Sequence, residues 1–160
     1  MFSNKNKIIN IESLNVLNDN IVIDQVHNTK FLGVIIHSNL TWHDHIKAIS
    51  SKVNKSIGIL LRIRKNFPND VLLTLYHTLI ESYFSYCNII WGPHCSNHLD
   101  QLYHKQKKVI RIIANAKWNV HTARLFRYFQ LLSIFNLNKL QTYCFIYTIS
   151  NCFSKLVYSN

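Results

Sequence analysis

The chain has 160 residues, of which 48% are hydrophobic and only 3 are Gly and 2 Pro, so it has enough apolar material for a folded core and lacks the composition of a disordered chain. Eighteen Lys and Arg against seven Asp and Glu give a formal net charge of +11, which favours a polyanionic partner, nucleic acid ahead of a membrane surface. No stretch reaches the roughly 18 uncharged apolar residues that a membrane span needs, so no membrane association is expected.

The charge is distributed unevenly along the chain. All seven acidic residues lie at or before Asp100, and the residues after it contain nine Lys and Arg. Those cations have no acidic neighbours in sequence and need an external anion or water. The four cysteines show no CxxC pairing, and residues 1–10 lack the apolar core of a signal peptide, so we expect free thiols in an intracellular, reducing compartment.

The N-terminal part, residues 1–38, is predicted to form short β-strands. Turn signals at 18–20 and 27–29 separate three candidate strands at 8–11, 21–23 and 31–36. The last of these, FLGVII, is a continuous apolar run and is interpreted as one strand covered on both faces. Gly33 within it predicts a bulge or a close backbone approach.

A long helix is predicted next, with Thr41 as its N-cap and an end near Asn66, before Pro68. One face of this helix is apolar and carries Trp42, Ile46, Ile49, Val53, Ile57 and Leu60. A different face is basic and carries Lys47, Lys55, Arg62 and Lys65.

Further helices are predicted to follow Pro68. One begins at Asn69 or Asp70, the next begins at Ser96 or Asn97 and ends near Asn115, and short helices occupy 122–129 and 134–149. In the helix that ends near Asn115, the predicted core side carries Leu99, Leu102, Val109, Ile110 and Ile113. The outer side of the same helix carries His104, Lys107, Lys108 and Arg111. The predicted fold class is therefore α+β, with β-strands over 1–38 followed by a mostly α-helical bundle over 39–160.

The sequence offers little for catalysis or metal binding. Two-metal phosphoryl transfer needs clustered carboxylates, and the chain has no DD, DxD or DxE motif, so we predict no catalytic residue. His94, Cys95, His98 and His104 are close in sequence, with Cys87 upstream, but they match no standard Zn²⁺ ligand pattern. We therefore predict no metal site and no cofactor in this chain.

The basic helix faces are better candidates for function. Phosphate contacts need Lys or Arg side chains on a rigid surface, and binding of this kind requires no sequence specificity. The candidate nucleic-acid-binding residues are Lys47, Lys55, Arg62, Lys65, Lys107, Lys108 and Arg111. The alternative is that these are the solvated outer faces of amphipathic helices.

Several short motifs resemble, in order and spacing, the segment after the palm in reverse transcriptases of non-LTR retrotransposons, the jockey-like and LINE-type elements. The motifs are Lys30-Phe31-Leu32-Gly33-Val34, Leu40-x-Trp42-x-x-His45-Ile46, Lys55-Ser56-Ile57-Gly58-Ile59-Leu60, Thr74-Leu75-Tyr76, Ser85-Tyr86-Cys87-Asn88-Ile89-Ile90-Trp91-Gly92, Gln106-Lys107-Lys108-Val109-Ile110-Arg111-Ile112-Ile113 and His121-Thr122-Ala123-x-Leu125-Phe126. Each motif alone is weak, whereas the ordered set is specific and covers about residues 21–149.

The resemblance implies the end of the palm plus the helical thumb of an RNA-directed DNA polymerase. In the family, the strand that Lys30, Phe31, Leu32 and Gly33 match follows the hairpin that grips the primer end. The catalytic aspartates and their Mg²⁺ belong to a part of the family enzyme that these motifs do not include. We therefore expect a truncated polymerase fragment, inactive alone, whose partners are an RNA or RNA–DNA duplex and the missing palm and fingers.

One alternative stays open from the sequence. The helical part could instead be a protein-interaction or structural module with no nucleic-acid role. Neutralisation of the basic faces by acidic neighbours in the fold would favour that option.

Overall fold

A computed structural model describes residues 16–18, 21–23, 26–93 and 96–158. Short antiparallel strands precede a mostly helical remainder, which confirms the α+β prediction. The chain divides into two compact units, Met1–Ala48 and Ile49–Asn160. The strand predicted at 8–11 lies outside the described residues.

Two separate two-stranded sheets make up the β structure. In the first, β1 (Val16–Asn18) runs antiparallel to β2 (Ile21–Ile23), which confirms the strand predicted at 21–23. In the second, β3 (Asn28–Phe31) runs antiparallel to β4 (Val34–His37). The predicted turn at 27–29 is wrong, because residues 28 and 29 belong to β3.

The prediction of one buried strand over 31–36 is also wrong, because this run is a hairpin. Leu32 and Gly33 form its two-residue turn with φ angles of 45° and 85°. Turns with positive φ at both central residues match the twist of the flanking strands, and Gly adopts this backbone at little cost. Phe31 and Leu32 are consequently 63% and 73% exposed at the tip of the hairpin.

Replacing Gly33 by Ala is expected to loosen this hairpin. A Cβ at a positive φ costs roughly 1–2 kcal/mol, so the amides of β4 should exchange with solvent about tenfold faster. The matched variant Leu32→Asn places a residue that tolerates positive φ at the other turn position and should slow the same exchange. Amide hydrogen exchange read at β4 measures both, and equal exchange in Gly33→Ala and wild type would contradict the turn assignment.

The helix α1 (His43–Ile63) follows the hairpin. It begins two residues after the predicted N-cap and ends at Ile63, three residues before the predicted end. The backbone carbonyl of Trp42 accepts a hydrogen bond from Ile46 N–H at 2.9 Å. In the first compact unit, Ile35 N–H donates to Nδ1 of the buried His45 at 3.3 Å, so the start of α1 packs on β4.

The predicted apolar face of α1 is confirmed. All six of its side chains are buried, with Val53 and Leu60 at 0% exposure. The face continues into the second compact unit, where the buried Ser56 hydroxyl donates to the carbonyl of Leu79 at 3.0 Å. This bond holds α1 against the helical run that follows Pro68.

That run extends without interruption over 69–85. It consists of α2 (Asn69–Tyr76), a π-helical turn (His77–Glu81) and α3 (Ser82–Ser85). Its buried residues recur at every fourth position, at Leu72, Tyr76, Ile80 and Phe84. An α-helix turns by about 100° per residue, so a strict spacing of four would drift by about 40° at each step. The wider π turn absorbs this drift and keeps all four side chains on the core side.

Four helices complete the second unit: α4 (Asn88–Trp91), α5 (Ser96–Ile113), α6 (Thr122–Tyr128) and α7 (Ile134–Tyr158). The predicted core side of α5 is confirmed, since Leu99, Leu102, Val109, Ile110 and Ile113 are all buried. The last helix is longer than predicted. It buries Ile134 and Leu137 near its start, whereas Tyr143 and Tyr147 are 67% and 69% exposed.

A buried glutamine joins three parts of this unit. Gln106 on α5 donates from Nε2 to the Tyr76 hydroxyl at 2.7 Å and to the Leu132 carbonyl at 2.8 Å. Its Oε1 accepts from Ile134 N–H at 3.0 Å, at the start of α7. Burial raises the pKa of the Tyr76 phenol far above its usual value, so this side chain stays neutral. The junction therefore fixes α2, α5 and α7 to one another.

Candidate nucleic-acid interface

The net positive charge belongs entirely to the second compact unit. Met1–Ala48 contains four Lys and Arg and four Asp and Glu, so its formal charge is zero. Ile49–Asn160 contains fourteen Lys and Arg and three Asp and Glu, so its formal charge is +11. A strong field of one sign on a single folded unit attracts polyanions.

The described lysines and arginines of this unit have no carboxylate partner among the described residues. In the described part of the chain, no lysine or arginine forms an ion pair with Asp or Glu; the ion pair found there joins His77 to Glu81. The condition that would favour the structural alternative, basic faces covered by acidic neighbours, is therefore not met by the described residues.

The structure brings Lys107, Lys108 and Arg111 together within about one turn of α5. Lys107 and Arg111 are four residues apart and share a face on the side of α6. There, Lys107 Nζ lies 4.5 Å from the ring centroid of Tyr103, and Arg111 Nε donates to the Val120 carbonyl at 3.2 Å. Both contacts orient the side chains and leave their charge uncompensated, while Lys108 is exposed.

The four basic residues predicted for α1 lie in three different settings. Lys55 and Arg62 are exposed and lie seven residues apart, so they point to the same side of the helix. Lys65 is exposed in the turn after Ile63, outside the helix. Lys47 is exposed in the first compact unit and is not part of the basic second unit.

Sequence reasoning missed Lys105. Its Nζ donates to Oδ1 of Asn54 at 2.6 Å and so connects α5 to α1 within the second unit. Lys105 lies about 160° around α5 from Lys107, on the opposite flank of the helix. The α5 cations thus make contacts on two flanks of the helix, toward Asn54 of α1 and toward Val120 before α6. No sequence signal could identify this flank, because helical periodicity does not tell which helix lies beside which.

The hairpin residues predicted to adjoin the primer grip lie in the first compact unit. Lys30 and Gly33 are exposed, as are Phe31 and Leu32 at the tip. Their proposed relation to a primer stays a prediction.

Polymerase chemistry would require Mg²⁺ held by clustered carboxylates. No group of three or more His, Cys, Asp or Glu suited to a metal ion occurs among the described residues, so these residues do not fit that metal. His94 and Cys95, two of the residues considered as Zn²⁺ ligands, lie outside the described residues. Within the described part of the chain, no helix is long and apolar enough to cross a bilayer.

The chain is similar to two transposon polymerases. It is 27% identical over 121 residues to the probable RNA-directed DNA polymerase from transposon X-element of Drosophila melanogaster, over 74% of this chain and 13% of the relative. It is 26% identical over 104 residues to the RNA-directed DNA polymerase from mobile element jockey of Drosophila funebris, over 63% of this chain and 11% of the relative.

These relatives confirm the predicted resemblance to RNA-directed DNA polymerases of non-LTR retrotransposons. The chain spans only about an eighth of their length. No family model matches the chain, and no solved structure matches it.

Proposed function

We propose that this chain is a thumb-like part of a non-LTR retrotransposon RNA-directed DNA polymerase and binds the sugar–phosphate backbone of a primer–template duplex without sequence specificity. The bound duplex is RNA or RNA–DNA. The cations of α5, with Lys55, Arg62 and Lys65 of the same unit, supply the phosphate contacts, and catalysis lies elsewhere in the polymerase.

One observation carries this proposal. The second compact unit has a charge of +11, and none of its described lysines or arginines is paired with a carboxylate. Burial of apolar surface explains the inner faces of α1 and α5 but gives no reason for cations without carboxylate partners on the outside. Neutralising phosphates with such cations releases condensed counterions, which supplies sequence-independent affinity.

The triple variant Lys107→Ala, Lys108→Ala, Arg111→Ala tests the proposal. Each lost phosphate contact should flatten the plot of log affinity against log salt by about one unit, so the triple variant should flatten it by about 2–3. Fluorescence anisotropy with a labelled RNA–DNA duplex, titrated at several salt concentrations, measures this slope.

A matched variant separates local contacts from general charge. Lys117, Arg124 and Lys139 are exposed cations of the same compact unit, and replacing all three by Ala removes the same charge. We expect this variant to bind more tightly than the α5 variant. An equal loss in both would place the binding in the diffuse charge of the unit, and no binding by the wild type at low salt would refute the proposal.

The structural alternative has one observation in its favour. The middle of α7 exposes large apolar side chains, including Tyr143, Ile146 and Tyr147 at 56–69%. Exposed apolar surface of this kind is typical of protein–protein contact. If the wild type shows no affinity for duplex at low salt, this result favours the interaction module over duplex binding.

A further inference from the structure

A cavity of about 440 Å³ lies between α5, α6 and the start of α7. Its apolar wall is formed by Tyr103, Phe126 and Leu131. Tyr103 packs against Phe126 with ring centroids 6.0 Å apart and against Phe135 at 5.2 Å, so the aromatic wall is fixed in place. This volume is within the range of about 300–1,000 Å³ that is usual for small-ligand sites.

The polar groups of the cavity are available to a ligand. Arg127, Gln130 and Asn136 line it, and within the described residues none of these side chains forms a hydrogen bond or ion pair with the protein. No Asp or Glu occurs among the described residues that line it. A guanidinium matches a phosphate, and Gln and Asn amides can both donate to and accept from the edge of a base.

The cavity adjoins the α5 cations. Tyr103 forms part of its wall, and the same ring lies under Lys107 Nζ at 4.5 Å. A nucleic-acid backbone that follows Lys107 and Arg111 along α5 therefore arrives at the cavity.

A second cavity, between α3, α4 and α7, differs from the first in its lining residues. Its volume is similar, about 380 Å³, and the described residues lining it include Cys87, Asn88 and Gln141 but no basic side chain. It has no cation to pair with a phosphate, so the combination of an aromatic wall with a free arginine distinguishes the cavity at α6.

We propose that the cavity between α5, α6 and α7 binds one nucleotide of a single-stranded segment that extends from the bound duplex. The base lies against the aromatic wall, Gln130 and Asn136 hydrogen-bond its edge, and Arg127 contacts its phosphate. Single-stranded nucleic acids are commonly held by this combination of base contact with aromatic rings and backbone contact with cations. The inference rests on the proposed function, because it names a further part of the same partner.

The test compares two probes on the full chain: a blunt RNA–DNA duplex, and the same duplex with a single-stranded RNA overhang. We expect the wild type to bind the overhang probe about tenfold more tightly, in line with the roughly 1–3 kcal/mol that one base–aromatic contact contributes. Arg127→Gln should abolish most of this preference and leave blunt-duplex affinity nearly unchanged. Arg127 is exposed and unpaired in the described structure, so the variant should fold.

Arg124→Gln is the matched control, because it removes an exposed arginine from the same helix outside the cavity lining. Loss of overhang preference in Arg127→Gln alone supports nucleotide binding in the cavity. Equal losses in both variants, or a wild type that binds both probes equally, would overturn nucleotide binding in the cavity and leave the proposal of duplex binding intact.

Failure of the proposed function is a separate outcome. If the wild type binds neither duplex, the overhang RNA is titrated alone as a single strand. Single-strand binding that depends on Arg127 and not on Arg124 would then support nucleotide binding in the cavity and reject duplex binding. Absence of single-strand binding would reject both proposals. Ultraviolet cross-linking of the overhang to a peptide containing Tyr103 or Phe126 gives an independent readout of the same site.

Discussion

Replacing Gln106 by Leu is expected to lower the free energy of unfolding by about 3–5 kcal/mol, because two buried polar groups and one part-buried carbonyl lose their partner together. Leu fills a similar volume but cannot accept from Ile134 N–H or donate to the Leu132 carbonyl and the Tyr76 hydroxyl. Each buried group left without a partner costs about 1–3 kcal/mol. Urea denaturation followed by circular dichroism measures the loss.

The control for this variant lies on the same helix. Gln101 is exposed on α5, and Gln101→Leu should change stability by no more than about 0.5 kcal/mol. A Gln106→Leu variant that unfolds at the wild-type urea concentration would show that the junction between α2, α5 and α7 contributes little.

Replacing Gly92 by Ala is expected to destabilise the protein by about 2–4 kcal/mol, through overpacking and a broken amide pair. A Cβ at Gly92 would come within 2.6 Å of the Asn88 carbonyl oxygen and closer still to the side chains of Asn88 and Asn138. Asn138 Nδ2 donates to both oxygens of Asn88, at 3.1 and 3.0 Å, and this contact attaches α7 to α4. The added methyl group would separate the two asparagines.

Gly58→Ala is expected to stabilise the protein, the opposite of the effect of Gly92→Ala. Gly58 lies inside α1, and a Cβ there would meet nothing within 4 Å. Ala is better than Gly in a helix interior by roughly 0.5–1 kcal/mol, so this variant should be more stable than wild type. Thermal unfolding of the two variants side by side should give shifts of opposite sign, and a loss of stability in Gly58→Ala would contradict the open space found at that position.

Helical periodicity predicted the core of this protein well. The buried faces of α1 and α5 follow from the three- and four-residue spacing of apolar side chains, since a helix must cover its apolar stripe. The same reasoning failed at 31–36, because an apolar run has the same sequence pattern whether it forms one strand or two short strands joined by a tight turn. The distinction depends on the positive φ angles of Leu32 and Gly33, which composition does not encode.

The candidate interface was only partly predictable. Sequence indicated which cations face outward on α5, because outward positions are those opposite the apolar stripe. It did not indicate that Lys105 reaches Asn54 on α1, that Lys65 falls beyond the end of its helix, or that Arg127 borders a cavity. These are tertiary facts, since they depend on which helices are neighbours.

The π-helical turn at His77–Glu81 has a consequence for how the gene of such a chain can change. Deleting a single codon within this turn would allow a regular α-helix to form, in which Phe84 follows Tyr76 by seven residues, or about 700°, and so stays within about 20° of the same side. The same deletion inside α2, between Leu72 and Tyr76, would rotate Leu72 by about 100° relative to Tyr76 and turn one of the two away from the core. A one-residue loss should therefore be tolerated at the π-helical turn and not in α2.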